Sequence, residues 1–407
     1  MGNTTDIAVV GGGASGMAAA ITAARRGASV TLIEAQSRVG RKLLSTGNGR
    51  CNITNSGISK EHYRSGNPDL AAAVMNQVSR EDIMAFLSSL GLECFEEREG
   101  RVYPRSEQAA SVLDMLRAEL ERLRVEIISD ARVTEVRKNG SAFSITAGDH
   151  TVSARRVILA CGSAAAPQLG GCSDGLALAQ KLGHRSIPFS PALVGLKVDC
   201  PDLKALKGVR WRCSLSLLKD GKTVHTESGE MQFNEDNLSG IVTMQMSSRA
   251  ARLGGGCVLS ADLLPEYSAD QLADKLTALS RQLGHMPMES FLSGLLNKRL
   301  AVCLLKKAGI TGLARPAAQL RPRDISALAK LIKDWRFPVT GNCGWKSAQV
   351  ATGGLLLSQF DEHLQSKVTP GLYACGELLD CDGDCGGFNL HWAWCSGITA
   401  GRSAADK

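Results

Sequence analysis

Near the start of the chain, Gly11-x-Gly13-x-x-Gly16 follows the apolar run Ile7-Ala8-Val9-Val10 and leads into an Ala-rich stretch that ends near Arg26-Gly27. That order spells a buried strand, a tight loop and a helix. A second apolar run, Val30-Thr31-Leu32-Ile33, ends in Glu34, twenty-one residues beyond Gly13. The chemistry served by this spacing is dinucleotide binding. Gly11 permits the turn, Gly13 lets a pyrophosphate approach the backbone, and Gly16 with Ala20 lets the helix pack closely on the sheet, while Ala14 and Ser15 open a helix whose N-terminus faces the phosphate charge. Glu34 can accept hydrogen bonds from both ribose hydroxyls, and its charge disfavours a 2′-phosphate, so the expected ligand is FAD or NAD rather than NADP.

Three further segments extend this site. After Glu34 comes a loop-like run holding Arg41, Lys42, Thr46, Gly47, Gly49, Arg50, Cys51 and Asn52, in which glycines and cations among small polar residues suit a cofactor with a long polar middle. The apolar run 157–159 ends in Ala160-Cys161-Gly162, after an expected three-strand meander over 127–128, 142–146 and 151–157, with Val133 as a further contact. Far downstream, a short strand ends in Gly376-Glu377, and Gly386-Gly387-Phe388-Asn389-Leu390 opens a final helix. A second set of contacts at the C-terminal end means that the ligand spans the domain.

These motifs carry a resemblance. The runs 45–55, Gly100-Arg101-Val102-Tyr103-Pro104, Thr352-Gly353-Gly354, Ser366-Lys367, and 371–401 with its Gly376-Glu377, Asp382-Gly383 and 386–393 pattern, resemble the BaiN/YhiN-like family of FAD-dependent oxidoreductases, aminoacetone-oxidase-like flavoproteins included. They span essentially the whole chain. The resemblance implies an α/β fold: a Rossmann-like FAD-binding domain of the two-dinucleotide-binding-domain flavoprotein type, interrupted by an inserted β-barrel-like and helical domain. The expected boundaries are 1–190 and 344–407 for the FAD-binding domain, 191–265 for the barrel-like part and 266–343 for the helical part. The patterning agrees with an insertion. Strand-like runs occur at 193–198, 213–218 and 223–225 with Asp220-Gly221 as a hairpin turn, and from 268 to 335 the pattern turns helical, with Leu272, Leu276, Leu279 and Leu283 read as core.

A flavin carries its own hydride chemistry, so few protein side chains need take part. Two stand out as catalytic candidates. Cys51 beside Arg50 is a candidate thiolate, set against ordinary buried packing. His391 occupies a place where the family pattern usually has Gln, and is a candidate proton donor, set against a structural histidine. The run Cys381-Asp382-Gly383-Asp384-Cys385 lacks the spacing of a calcium loop or a zinc site, so no metal is expected. No second Gly-x-Gly-x-x-Gly follows a later strand, which argues against a dedicated nicotinamide domain; NAD(P)H would then serve as a transient donor at the flavin. No Cys-x4-Cys pair follows the first motif, which disfavours disulfide reduction. The favoured activity is reduction of an activated C=C bond in an enone-type small molecule, by resemblance steroid- or bile-acid-like. The alternatives are a flavin amine oxidase using oxygen and a nucleic-acid-associated flavoprotein.

Composition narrows the class. The 407 residues carry 47 Lys+Arg against 40 Asp+Glu, a net charge of +7 with no basic run longer than two, which reads as a thinly spread surplus and disfavours a nucleic-acid partner. Hydrophobic residues at 44% and charged residues at 21% exclude a mostly disordered chain. Thirteen cysteines, an odd number without framework spacing, and a strand entered without a basic leader point to a reduced, cytoplasmic protein. The uncharged stretch 7–24 is broken by glycines near its start and is not read as a membrane span.

Overall fold

Asn3–Val10, Val30–Ile33 and His150–Leu159 lie side by side as parallel strands in a computed structural model that describes residues 3–406. Their order in the sheet is Glu126–Ile128, Val30–Ile33, Asn3–Val10, His150–Leu159, Ala142–Ala147, Val133–Asn139, with Leu372–Ala374 paired in parallel beside the last residues of His150–Leu159. Strands buried at every position, such as Val30-Thr31-Leu32-Ile33, are what a sheet covered on both faces requires. The register sets Val10 level with both Ile33 and Leu159, and Leu159 level with Ala374, so four strands end their carboxyl sides along one edge.

The meander differs from the expectation. Its first strand is Val133–Asn139, antiparallel to Ala142–Ala147, whereas Ile127 and Ile128 pair in parallel with Leu32 and Ile33 at the opposite edge. A two-residue apolar run carries no periodicity, and Val133–Asn139, with its mixed polar residues, hides its inward positions Val133 and Val136.

The opening helix (Ala14–Arg25) and the closing helix (Phe388–Ala405) pack against each other. Their contact is made at small residues: a Cβ on Gly397 would collide with the carbonyl oxygen of Ser15, and one on Gly401 with that of Ala19. The four-residue step matches on both helices, so the two backbones touch along one ridge. This contact holds the chain's two ends together.

The chain divides into two compact units, Met1–Pro191 with Ala348–Lys407, and Ala192–Ser347. The second contains a closed antiparallel barrel in the order Leu196–Val198, Asn237–Ser239, Lys222–Phe233, Arg210–Lys219, Cys257–Asp262, Trp335–Asn342 and back to Leu196–Val198. Asp220 and Gly221, both at positive φ (51° and 75°), turn the long hairpin. Cys213, Leu215 and Leu217 alternate inward, as do Leu259 and Ala261. Trp335–Asn342, read from the sequence as the end of the helical stretch, is the strand that closes the barrel. Trp335 and Phe337 are buried while Arg336 and Pro338 are exposed, a two-residue period that places the aromatic rings 4.8 Å apart inside. Helices Ala269–Gln282, Lys298–Lys307 and Pro322–Lys333 complete the unit, with Leu272 and Leu276 fully buried and Leu279 and Leu283 packed at the core's margin. Among the described residues, no helix is long and apolar enough to cross a membrane.

Candidate cofactor site

The carboxyl edge of the parallel sheet gathers residues that are far apart in sequence. Gly11 follows Val10, Glu34 follows Ile33, Ala160-Cys161-Gly162 follows Leu159, and Cys375-Gly376-Glu377 follows Ala374. Open α/β sheets bind ligands at this edge. Gly11 sits at φ 109° with Ala160 against its Cα, so a side chain there would strike the neighbouring strand's end. Glu34 turns back on the glycine loop: Gly12 N–H donates to its Oε2 at 2.7 Å, and Gln36 N–H donates to its Oε1 at 2.8 Å. The carboxylate is thereby fixed beside the loop with lone pairs left over, the posture a ribose-binding acid needs.

Three distant segments meet at Glu377. Lys42 Nζ lies 2.7 Å from its Oε2, and Ser163 Oγ donates to the same oxygen at 2.7 Å. Gly376 N–H donates to Ser396 Oγ at 2.9 Å, and Trp392 Nε1 donates to the Gly376 carbonyl at 3.1 Å, so the closing helix holds this loop in place.

A second convergence joins the loop at 45–55 to the loop before the closing helix. The first is wound through left-handed backbone at Gly47, Asn48, Gly49 and Cys51, which only glycine adopts without strain. Its exit pairs with Arg101–Pro104, and Trp394 Nε1 donates to the Ile53 carbonyl at 3.1 Å. Asn55 Nδ2 donates to the Gly386 carbonyl at 2.9 Å, and a Cβ on Gly387 would collide with the Thr54 carbonyl oxygen. Asn389 spends its side chain on its own loop, accepting from Gly383 N–H at 2.8 Å and donating to the Gly383 carbonyl at 2.9 Å. Phe388 is buried and stacks on His62, with ring centroids 4.2 Å apart. Leu390 and Val133 pack at the unit's apolar core.

These residues fit a dinucleotide. Both helices that reach the site start on a glycine, Gly13 and Gly387, with no side-chain cap, leaving N–H groups for an acceptor from outside the chain. A Cβ on Gly13 would meet no protein atom within 4 Å, and its φ of −77° is open to any residue, so at this position the chain itself gives no reason for glycine. Asn52 Oδ1 is buried with no hydrogen-bond partner among the described residues, beside the Gly387 Cα; a ligand N–H or O–H would satisfy it.

Several sequence candidates are buried or engaged by the chain itself. His391 is 1% exposed and shares a 2.9 Å hydrogen bond between its Nδ1 and Thr54 Oγ1; burial, helped by the Arg80 charge, lowers its pKa to about 4, so at neutral pH it carries no imidazolium proton to give. Cys51 is fully buried and its thiol is pushed up to about 12 by desolvation, the opposite of an activated thiolate. Burial pushes the Cys161 thiol up as well. Arg50 faces away into protein partners, with Glu97 at 2.6 Å, Glu107 at 3.1 Å and the Tyr103 ring 4.1 Å beneath it. Arg41 is held by Gln36. Thr46 Oγ donates to the Leu43 carbonyl at 2.6 Å, bracing the loop.

Sequence reading missed the group that fixes the second loop. Arg64 is a largely buried guanidinium that bonds Asp382 at 3.0 Å and also Asp384, while His62 Nδ1 lies 3.0 Å from the other Asp384 oxygen and Asp380 accepts from Gly66 N–H at 2.8 Å. Tyr63 donates to the Phe388 carbonyl at 3.0 Å, and burial raises its pKa. The strand Tyr63–Ser65 pairs antiparallel with Cys381–Gly383, so the carboxylates of Asp382 and Asp384 are turned onto an arginine. The signal available was the charge pattern: three aspartates in an otherwise apolar stretch need a buried cation.

Known proteins match this architecture. The model of the HI0933-like protein Rossmann domain matches residues 5–403. The chain is 37% identical over 407 residues, covering 98% of this chain and 99% of the relative, to the 3-dehydro-bile acid delta(4,6)-reductase of Clostridium scindens (strain ATCC 35704 / DSM 5676 / VPI 13733 / 19). It is 29% identical over 398 residues, 96% of each chain, to the ribosomal RNA dihydrouridine synthase of Escherichia coli (strain K12). The fold is shared with the 3-ketosteroid delta1-dehydrogenase of Sterolibacterium denitrificans, at a TM-score of 0.50 and 15% identity over 99% of both chains. The chain therefore belongs to the HI0933-like Rossmann family and is an FAD-dependent oxidoreductase.

Proposed function

We propose that this protein reduces a C=C bond conjugated to a carbonyl in a small, enone-type molecule, with NAD(P)H as the electron donor. The observation that carries the reading is full-length similarity, at 37% identity, to a reductase whose name specifies double bonds in a 3-dehydro (3-keto) bile acid. FAD, when bound, supplies a hydride at its N5. The chain's own residues hold and orient it. Glu34 takes the adenosine ribose, the opening helix and Gly13 take the pyrophosphate, and Lys42, Ser163 and Glu377 line the polar middle. The start of the closing helix at Gly387 would present its positive end to negative charge on the bound flavin. Asn52 Oδ1, without a partner among the described residues, would accept one hydrogen bond from the cofactor. Neither His391 nor Cys51 supplies the proton, the first because it is neutral and buried, the second because its thiol is sealed from solvent.

A second reading keeps the reaction and changes the substrate: the uracil ring of RNA also presents a C=C bond conjugated to a carbonyl, and the Escherichia coli relative is named as a ribosomal RNA dihydrouridine synthase. The test is anaerobic. The yellow protein should bleach with NADH or NADPH and recover its colour on addition of a 3-keto-4-ene steroid or, for the second reading, of a uridine-containing RNA. Bleaching by a small amine, with peroxide released on admitting oxygen, would replace both with an amine oxidase.

A further inference from the structure

The surplus of +7 is not thinly spread once the chain is divided by its fold. Residues 281–333 hold ten Lys and Arg against two Asp and Glu, a local excess of +8, so the rest of the chain carries −1. No run there exceeds two cations, which is why the sequence looks dispersed. Helices Lys298–Lys307 and Pro322–Lys333 bury Leu300, Leu304, Ile325, Leu328 and Ile332, which leaves their cations on outward faces; of the ten, all but Lys333 are exposed.

Few of these charges are answered locally. Lys307 pairs with Asp202 at 2.7 Å, Arg321 with Asp324 at 2.8 Å and Lys333 with Asp262 at 2.6 Å. Arg299 is held rigid by the carbonyls of Ala205 and Lys207, which position its charge without cancelling it. Arg281, Lys298, Lys306 and Lys330 have no carboxylate within 4.0 Å among the described residues. A surface serving solubility alone interleaves both signs. The remainder of the inserted unit does so, with twelve cations and twelve acids.

We propose that the outward faces of helices Lys298–Lys307 and Pro322–Lys333, with Arg281, dock the sugar-phosphate backbone of structured RNA. The inference deepens the second reading above and rests on it for the choice of RNA among polyanions; the charge supports phosphate contact in its own right. An anionic membrane is the lesser candidate, because surface-lying helices need exposed apolar side chains beside their cations. No exposed large hydrophobic residue falls between 281 and 333 among the described residues. Contacts of this kind fix register on the backbone and read no bases.

The test uses the full-length, flavin-loaded protein and a labelled RNA stem–loop, followed by fluorescence anisotropy from 50 to 200 mM salt. R281E/K298E/K306E/K330E should bind at least about tenfold more weakly at low salt, and its log–log salt slope should be shallower by roughly three, about 0.7–0.9 for each of four lost phosphate contacts. The neutral set R281Q/K298Q/K306Q/K330Q should show the same direction with a smaller loss, and serves if the reversed set folds poorly. Enone reduction should be unchanged in both. Equal affinity and slope in wild type and the neutral set would overturn the surface, as would preference of the wild type for phosphatidylserine vesicles over RNA. Failure of the RNA to recolour the bleached protein, with binding and its loss intact, would instead remove the second reading and leave the docking surface standing.

Discussion

The two compact units solve opposite problems of approach. The Rossmann-like unit brings backbone to backbone: glycines at 11, 387, 397 and 401 stand where any side chain would strike a neighbouring carbonyl, and its net charge is −1. The inserted unit builds its core from alternating and helical side chains around a closed barrel, and its surface carries the whole cationic surplus of the molecule. Close backbone approach serves a ligand held by many weak directional contacts, whereas a cationic face serves a partner held by charge.

The sharpest way to break the first half of this contrast is Arg64→Met. It leaves Asp382 and Asp384 buried without their cation, and should cost roughly 3–5 kcal/mol in urea unfolding together with flavin retention. Matching charge-to-Gln changes on the inserted unit's outer helices should move stability by less than about 0.5 kcal/mol.

His391 supplies a pH-dependent test. Its pKa is about 4 in the folded protein, below the ordinary value of 6.5, so between these the unfolded chain binds a proton that the native state refuses. Stability should be unaffected above pH 6.5 and fall as pH drops toward 4, by on the order of 3 kcal/mol. His391→Gln should flatten that decline when urea midpoints are measured from pH 7 to 4. An equally steep decline in the variant would assign the acid sensitivity elsewhere.

Gly397→Ala forces a methyl group into the Ser15 carbonyl and should cost about 1–3 kcal/mol, seen as a lowered Tm. Cys51→Ala should be milder, about 1 kcal/mol from lost packing, with reduction of an enone retained; loss of turnover with flavin still bound would return the thiol to the chemistry.

What could be read from the sequence was what is local. Gly11 to Gly16 with Glu34 is visible because strand period, turn glycines and acid follow one another within a single βαβ unit. Ile127-Ile128 joins the opposite edge from the expected meander, since two apolar residues do not state their partner, and Trp335–Asn342 reads as the end of a helical stretch because its period of two begins where a period of 3.6 ends. Arg64 and its aspartates are separated by more than three hundred residues, and nothing in local pattern joins them. The basic face escaped for a related reason: its cations are spaced by helical turns rather than run together.

Gly13 offers the most direct test of the claim that glycines on this edge are there for a cofactor. A side chain at this position meets no protein atom within 4 Å, its φ of −77° is open to any residue, and an aspartate would cap the opening helix. The measurement is FAD stoichiometry by absorbance after reconstitution, for wild type and Gly13→Asp. The account predicts one FAD per chain in the wild type and none retained by a variant that unfolds at an equal or higher Tm. Equal FAD uptake by the variant, or none by the wild type, would contradict it.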